Sequence, residues 1–413
     1  MRDREYSAFM LLNAPGFGAK SIIYIYDNLK RIGLKINDLF DKNISQLTSL
    51  LPDIGRGKFS RADLSSLHSL DDKKLYELYQ KLKNDNVHII GLDDERYPKT
   101  LLERLGENTP PVLFCKGHLP LLNADSISIV GSRDVSDFAV MLTKRIANRL
   151  AGAGYNVTSG FAKGVDTSAH IGALENNGTT TMVLSYGLNH LSIKRDIKEY
   201  NWEHNTLFIT QFMPYEKFSG QNAMIRNKLV CALSKAVIVI SSGPERDGNG
   251  KMSGTFDAGL TSLRYKIPLF VLNPSLLNPT PQGNIDLIKV GGIPLSNGNE
   301  LVQYLDSLAN PLEKIKDYYS VIESNEKELI NQTVEEPKPL YQTKSDDIKT
   351  RILNVLDSKP LSINDIIEQA HLDWTAKKLS AFLKKMNEIE VIKKGRSNYY
   401  KRKSLRTQPR LFA

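Results

Sequence analysis

Cysteine is almost missing from this chain: Cys115 and Cys231 are the only two in 413 residues. Both sit in apolar surroundings, which argues against a disulfide framework or a cysteine zinc site and points to a reducing cytoplasm. Long hydrophobic runs are missing as well. None approaches the roughly 18 apolar residues that a membrane span needs. The apolar core of MRDREYSAFMLLNAPG is too short and interrupted for a signal peptide. A soluble, cytoplasmic protein is expected. The familiar catalytic signatures are absent too: no Walker A loop, no G-x-G-x-x-G after a strand, no H-E-x-x-H and no G-x-S-x-G. A dehydrogenase reading therefore lacks its fingerprint. No cofactor and no catalytic residues are expected.

What the chain does have is positive charge, unevenly spread. The formal net charge is +9 with a pI near 9.2. From Ser345 to Ala413 there are 15 Lys and Arg against 8 Asp and Glu, so +7 of the +9 lies in the last sixth. Clustered cations release condensed counterions when they meet a polyanion, which favours nucleic acid as the partner. A basic tail kept soluble by its charge is the plainer alternative.

Four segments follow from composition and periodicity. Residues 1–85 read as helical, and within them LLNAPGFGAKSIIYIYDNL has the glycine spacing of a helix-hairpin-helix. Gly16 and Gly18 would free backbone N–H groups for a phosphate, with Lys20 beside them, although an ordinary glycine turn between core helices explains the pattern equally well. Pro98, Pro110 and Pro111 break the connecting stretch that follows. Within 86–310 the runs SISIVG, YNVTSG, TTTMVLSYG, TLFITQF, AVIVISSG and IPLFVLN alternate with helical stretches such as 138–154. That order predicts an α/β fold, a doubly wound, mainly parallel sheet with helices on both faces. Residues 311–344, polar and proline-bearing, suit a linker. Residues 345–403 read as three helices and two short strands around Gly395, the order of a winged helix. No internal repeat is present.

Ligands of such sheets sit beyond the carboxyl ends of the strands. The most informative stretch, VTSGFAKGVDTSAHIGAL at 157–174, places Ser159, Gly160, Lys163 and Gly164 at one strand end, with Asp166, Thr167 and Ser168 as capping-type residues of a helix. Gly131, Ser132 and Arg133 occupy the end of the preceding strand. Arg226, Asn227 and Lys228 lie on a helix leading into another core strand, and Ser253, Gly254 and Thr255 open the helix after that strand. Gly283 and Asn284 add a final loop. Candidate phosphate contacts at four consecutive strand ends are hard to explain as packing.

Structural roles stand beside each of these. The glycines would serve tight turns, Arg226 would pair with an acid such as Asp257, Asp166 would cap a helix, and His170 would be a packed, hydrogen-bonded histidine. Lys377, Lys378, Lys384 and Lys385 fall on the recognition-helix region of the C-terminal unit, where basic residues meet phosphates; a solvated face is the alternative.

The ordered set GSR, SGFAKGVDTSAHIGAL, IRNKLVCALS and SGTFDAG, preceded by YPKTLLERL and PPVLFCKG, resembles the DNA-processing protein A (DprA/Smf) family, strongly over about 90–300. The resemblance implies an extended Rossmann domain that binds single-stranded DNA, forms homodimers and helps load a RecA-type recombinase during transformation, without catalysis. It carries DNA contacts over to Arg133, Lys163, Arg226 and Lys228, with Gly160 and Gly164 shaping the floor of one basic pocket. Some positions depart from the family pattern. Its usual Arg-Asn-Arg reads Arg226-Asn227-Lys228, which keeps charge and loses a bidentate fork. Its usual aromatic three residues before that Arg is Ala223, its usual Glu after the fourth strand is Gln211, and GPERDGNGK at 243–251 reads as an insertion. Two rival readings remain. One is a nucleotide-binding enzyme or sensor, acting in anti-phage defence and using Asp166 or Gln211. The other is a transcription regulator whose winged helix reads duplex DNA.

Overall fold

The computed structural model describes residues 3–296 apart from 201 and 249, and 352–402 apart from short interruptions. The linker expected at 311–344 and the side chains of Lys377, Lys378, Lys384 and Lys385 lie outside the described residues. Two compact units emerge, Met1–Pro311 and Leu312–Ala413.

The first unit is built on nine strands: β1 (His88–Gly91), β2 (Val112–Gly117), β3 (Ser126–Val130), β4 (Asn156–Gly160), β5 (Thr180–Val183), β6 (Thr206–Thr210), β7 (Ala236–Val239), β8 (Leu269–Leu272) and β9 (Ile293–Leu295). They line up as β1-β2-β6-β5-β4-β3-β7-β8-β9. β3 to β9 run parallel, and β1 and β2 join the β6 edge antiparallel.

The parallel strands read as unbroken apolar runs because both faces are covered. Along β7, Val237 and Val239 face one core while Ala236 and Ile238 face the other, the two-residue period of a pleated strand. Helices α1 (Arg4–Asn13), α2 (Ala19–Arg31), α3 (Ile36–Leu39), α4 (Ile44–Leu50) and α5 (Asp72–Asn84) form the N-terminal part, followed by α6 (Lys99–Leu105). Among the crossovers are α7 (Asp137–Gly152), α8 (Val165–Leu174), α9 (Arg195–Lys198), α10 (Trp202–Asn205), α11 (Gly220–Ala232), α12 (Gly254–Arg264) and α13 (Gln282–Lys289). α7 and α8 cover one face through Ala139, Ile146, Val165 and Ala169; α11 and α12 cover the other through Leu229, Val230, Phe256 and Ala258. Cys115 and Cys231 are buried free thiols in that second core.

The N-terminal helices share this unit. Tyr6, Phe9 and Tyr79 of α1 and α5 pack with Ile89, Phe114 and Phe208 of the sheet, while α2 to α4 gather a core of their own around Ile25, Leu29 and Leu47. The stretch read from sequence as a proline-broken connection contains β1 and β2, and β9 also lacked a sequence signal. β1 and β9 have only four and three residues, and β2, six residues long, starts straight after Pro110 and Pro111, the breakers that masked it.

In the second unit α14 (Ile363–Gln369), α15 (Ala376–Leu383) and the antiparallel pair β10 (Ile389–Lys394) and β11 (Ser397–Arg402) surround Leu356, Leu361, Ile366, Leu379 and Tyr400. A bridge joins Leu361 to Tyr400. No helix among the described residues is long and apolar enough to cross a membrane.

Candidate nucleic-acid interface

The strand order reverses at β3, with β4 to β6 on one side and β7 to β9 on the other, so the crevice for a ligand opens at the carboxyl ends of β3, β4 and β7. Two turns interlock there. Gly164 has φ +74°, and a Cβ on it would lie 2.6 Å from the carbonyl oxygens of both Ser132 and Arg133. Only glycine lets the loop after β4 lie against the turn after β3. The Val165 N–H donates to the Ser132 carbonyl at 3.3 Å, and the Ser132 N–H donates to Ser241 at 2.8 Å, which ties the turns after β3, β4 and β7 together. Gly131 leaves room for Val165, whose methyl would be 2.5 Å from a Cβ there.

Gly160 has a different role. A Cβ on it would fall 1.8 Å from Nη1 of Arg226 and 2.3 Å from Oδ2 of Asp166. The missing side chain makes space for a buried ion pair, Arg226 Nη1 to Asp166 Oδ2 at 3.9 Å, in which both side chains are under a tenth exposed. The acid that Arg226 meets is Asp166; Asp257 instead lies near Asn227, Lys228 and Arg264. Burial raises the Asp166 carboxyl above its ordinary range and lowers the Arg226 guanidinium, and the opposite charge offsets part of each shift. Nε of Arg226 is buried without a hydrogen-bond partner among the described residues.

The start of α8 differs from the sequence expectation of an open phosphate site. Its N-cap is Gly164. The Asp166 carboxylate occupies the first turn and accepts the Ala162 N–H at 3.4 Å, so a negative group of the protein already complements that helix end.

Lys194, which the sequence did not mark, fastens the same loop. Its ammonium donates to the carbonyls of Phe161 (2.9 Å) and Ala162 (2.8 Å) and to Thr167 Oγ1 (2.6 Å), and lies 4.3 Å above the Phe161 ring. Burial lowers it to about 8, against the raising effect of Asp166. His170 is wholly buried, with Nδ1 on Thr180 Oγ1 (2.6 Å) and Nε2 on the Gly160 carbonyl (2.5 Å). A carbonyl only accepts, so Nε2 carries the proton. Burial pushes this imidazole down to about 3, and it is neutral.

The exposed rim carries the accessible chemistry. Arg133 and Lys163 are exposed, and the Arg133 guanidinium lies 5.6 Å above the ring of Phe218. Phe218 is 53% exposed and Tyr215 49% exposed, in the loop that leads into α11. Tyr76 and Phe138 are as exposed elsewhere, but a ring beside a guanidinium offers a nucleobase a stacking platform. The sequence signal was MPYEKFSG, two aromatics and a lysine in a Pro/Gly loop.

The other candidates hold the frame. Ser159 is buried and donates to the Ile129 carbonyl at 2.6 Å. The Ser132 hydroxyl bonds within its own turn, donating to the Asp134 carbonyl. Asn227 is nine-tenths buried and straps α11 to α12 through the Gly254 carbonyl at 2.9 Å. Ser253 caps α12, accepting the Phe256 N–H, and Thr255 follows in the first turn. Asn284 is fully buried and bonds Ser242, Ile240 and Leu272. Lys228 parts company with Arg226: two positions apart on α11 is about 200° of rotation, so Arg226 faces Gly160 while Lys228 faces a separate cleft with Gln211. Among the described residues no group of three or more His, Cys, Asp or Glu is placed to hold a metal.

Comparison with known proteins bears on the family and the fold. The family described as DNA recombination-mediator protein A matches residues 88–306. Protein Smf of Escherichia coli is 30% identical over 226 residues, covering 54% of this chain and 58% of that protein. DNA processing protein DprA of Bacillus subtilis is 24% identical over 268 residues, covering 64% and 87%. The X-ray structure of DNA processing protein A from Streptococcus pneumoniae superposes with a TM-score of 0.59 at 22% identity, over 73% of this chain and 98% of that one, which is a likeness of fold.

Proposed function

The chain belongs to the DNA recombination-mediator protein A family, and from that premise we propose that it binds single-stranded DNA at the crevice beyond β3, β4 and β7. The observation that carries this reading is the rim: an exposed guanidinium, Arg133, over an exposed ring, Phe218, with Lys163 beside the same interlocked turns. Phosphates would meet the two rim cations, and a base would stack on Phe218. Arg226 would act from beneath, its charge fixed in the floor by Asp166 and its Nε bonded to no group among the described residues. Such a site tracks the sugar-phosphate chain and discriminates little among bases.

In recombination, the bound strand would be protected and handed to a RecA-type recombinase by a homodimer of this chain in the cytoplasm, with the C-terminal unit acting as a winged helix. No catalytic step belongs to this reading. The groups that would serve a nucleotide-cleaving enzyme are engaged elsewhere: Asp166 pairs with Arg226, both nitrogens of His170 are bonded, and Gln211 lines a different cleft.

Fluorescence anisotropy of labelled oligo-dT and of a matching duplex, at two salt concentrations, tests the proposal. Salt-sensitive preference for the single strand, abolished by Arg133→Glu, is the expected result. Equal binding of strand and duplex, or full affinity in Arg133→Glu, overturns it.

A further inference from the structure

A second basic cleft lies in the same unit, where the N-terminal helices meet α6 and α11. Its volume is about 610 Å³, and its walls carry Lys20, Lys58, Arg61 and Lys228. One carboxylate, Glu107, answers these four cations. It lies 2.7 Å from Lys20 Nζ and 3.8 Å from Lys58 Nζ, and the two ammoniums hold its carboxyl below the usual range. Arg61 and Lys228 make no ion pair among the described residues, and the lining residues carry a formal charge of +3, although Asp257, outside the lining, lies near Lys228. Lys20 and Lys58 are mostly exposed, at 61% and 67% of their side chains, so the positive charge faces solvent.

The glycine hairpin builds this wall by packing. Gly16 has φ +82°, and a Cβ on it would lie 1.9 Å from the Arg61 carbonyl oxygen, so glycine at 16 lets the loop bearing Lys58 and Arg61 close on the start of α2. The Gly18 N–H is already bonded to Ser21 Oγ at 2.9 Å. Anion contacts would therefore come from side chains. The one aromatic in the wall, Phe59, is 5% exposed and presents no stacking face. A cleft with net positive charge, neutral polar neighbours in Ser60, Asn108 and Gln211, and no platform for bases fits a sugar-phosphate chain.

We infer that this cleft is a second binding site for single-stranded nucleic acid, engaging a further stretch of the strand held at the Arg133 crevice. The inference rests on the function proposed above. Helix α11 links the two, with Arg226 under one site and Lys228 in the other.

Two lengths of labelled oligo-dT separate the two sites. The short one, about six nucleotides, fills one site, and the long one, about thirty, has length to spare for both. The variant is Lys20→Gln/Lys58→Gln/Lys228→Gln, chosen because Lys20 and Lys58 are mostly exposed and Lys228 only half-buried, with circular dichroism and the melting temperature as fold checks. The expected result is wild-type affinity for the short strand, at least tenfold weaker binding of the long one, and a salt slope for the long strand reduced by about 2, at roughly 0.7 per lost phosphate contact. Wild-type affinity and slope for the long strand overturn the second site. Equal losses for both lengths also overturn it, because the cleft would then be part of the first site. Arg133→Glu distinguishes the failures: if it weakens both lengths while the triple variant binds normally, only the second site falls. If Arg133→Glu changes neither length, the first reading falls.

Discussion

Gly164→Ala is the sharpest probe of the interlocked turns. At φ +74° and ψ −126° an L side chain is strained, at a cost of about 1–3 kcal/mol. The new Cβ would also sit 2.6 Å from the Ser132 and Arg133 carbonyl oxygens, which are backbone and do not swing aside as a side chain end would. Overpacking of this kind costs about 1–3 kcal/mol more. The expected total is about 2–6 kcal/mol, or a fall in melting temperature of roughly 4–24 °C at about 2–4 °C per kcal/mol. Gly154→Ala is the internal control. Gly154 has φ +86°, and a Cβ on it would meet nothing within 4 Å, so only the backbone term applies, about 1–2 kcal/mol. Urea unfolding of both variants reads the difference. The reasoning requires Gly164→Ala to exceed Gly154→Ala by at least 1 kcal/mol and to weaken single-strand binding while the control does not. Equal costs, or normal binding by Gly164→Ala, would refute it.

Three further outcomes follow from the same residues. Arg226→Ala strands a buried carboxylate and should cost about 3–5 kcal/mol, with most of the loss recovered in Arg226→Met/Asp166→Asn; no recovery in the double variant would mean that the pair is not the source of the cost. His170 is held near 3 when folded and titrates near 6.5 when unfolded, so the unfolded chain binds the extra proton between those values and stability falls as pH drops through that window. From pH 6.5 to 5 the wild type should lose about 1.5–2 kcal/mol more than His170→Gln; parallel curves would contradict a buried neutral imidazole. Phe218→Ala should weaken oligo-dT binding by about 1–3 kcal/mol without lowering the melting temperature, since its ring is more than half exposed. Unchanged affinity would remove the stacking platform.

The parts legible in the sequence are those in which one physical cause acts along a continuous stretch. Strands β3 to β8 are buried on both faces, which forces unbroken apolar runs. β2 owes its place to pairing with a strand remote in sequence, Phe114 with Thr210 for example, while β1 and β9 are sheet-edge strands of three or four residues that pair with one neighbour each, and local composition says little about either. The glycine turns were legible because Gly160 and Gly164 are needed where they stand. The side to which a residue points was harder. Arg226 and Lys228 look like one basic motif on paper, yet helical rotation sends them to different clefts. Lys194 lies about 30 residues from the carbonyls it binds, in a stretch without any pattern, so nothing nearby announced its role.

The placement of β2 also has a consequence for synthesis. β2 ends at Gly117 and pairs with β6, which begins at Thr206, so about 90 residues separate the two partners. A ribosome adding about 5–20 residues per second delivers β6 roughly 5–20 s after β2. Through that interval the β1–β2 hairpin exists with one edge unpaired, its Leu113 and Phe114 not yet covered by the rest of the sheet. α1 precedes the hairpin and packs on it, which shields one face while the edge waits. The nascent chain is thus open to misassociation at this edge between the emergence of β2 and the arrival of β6.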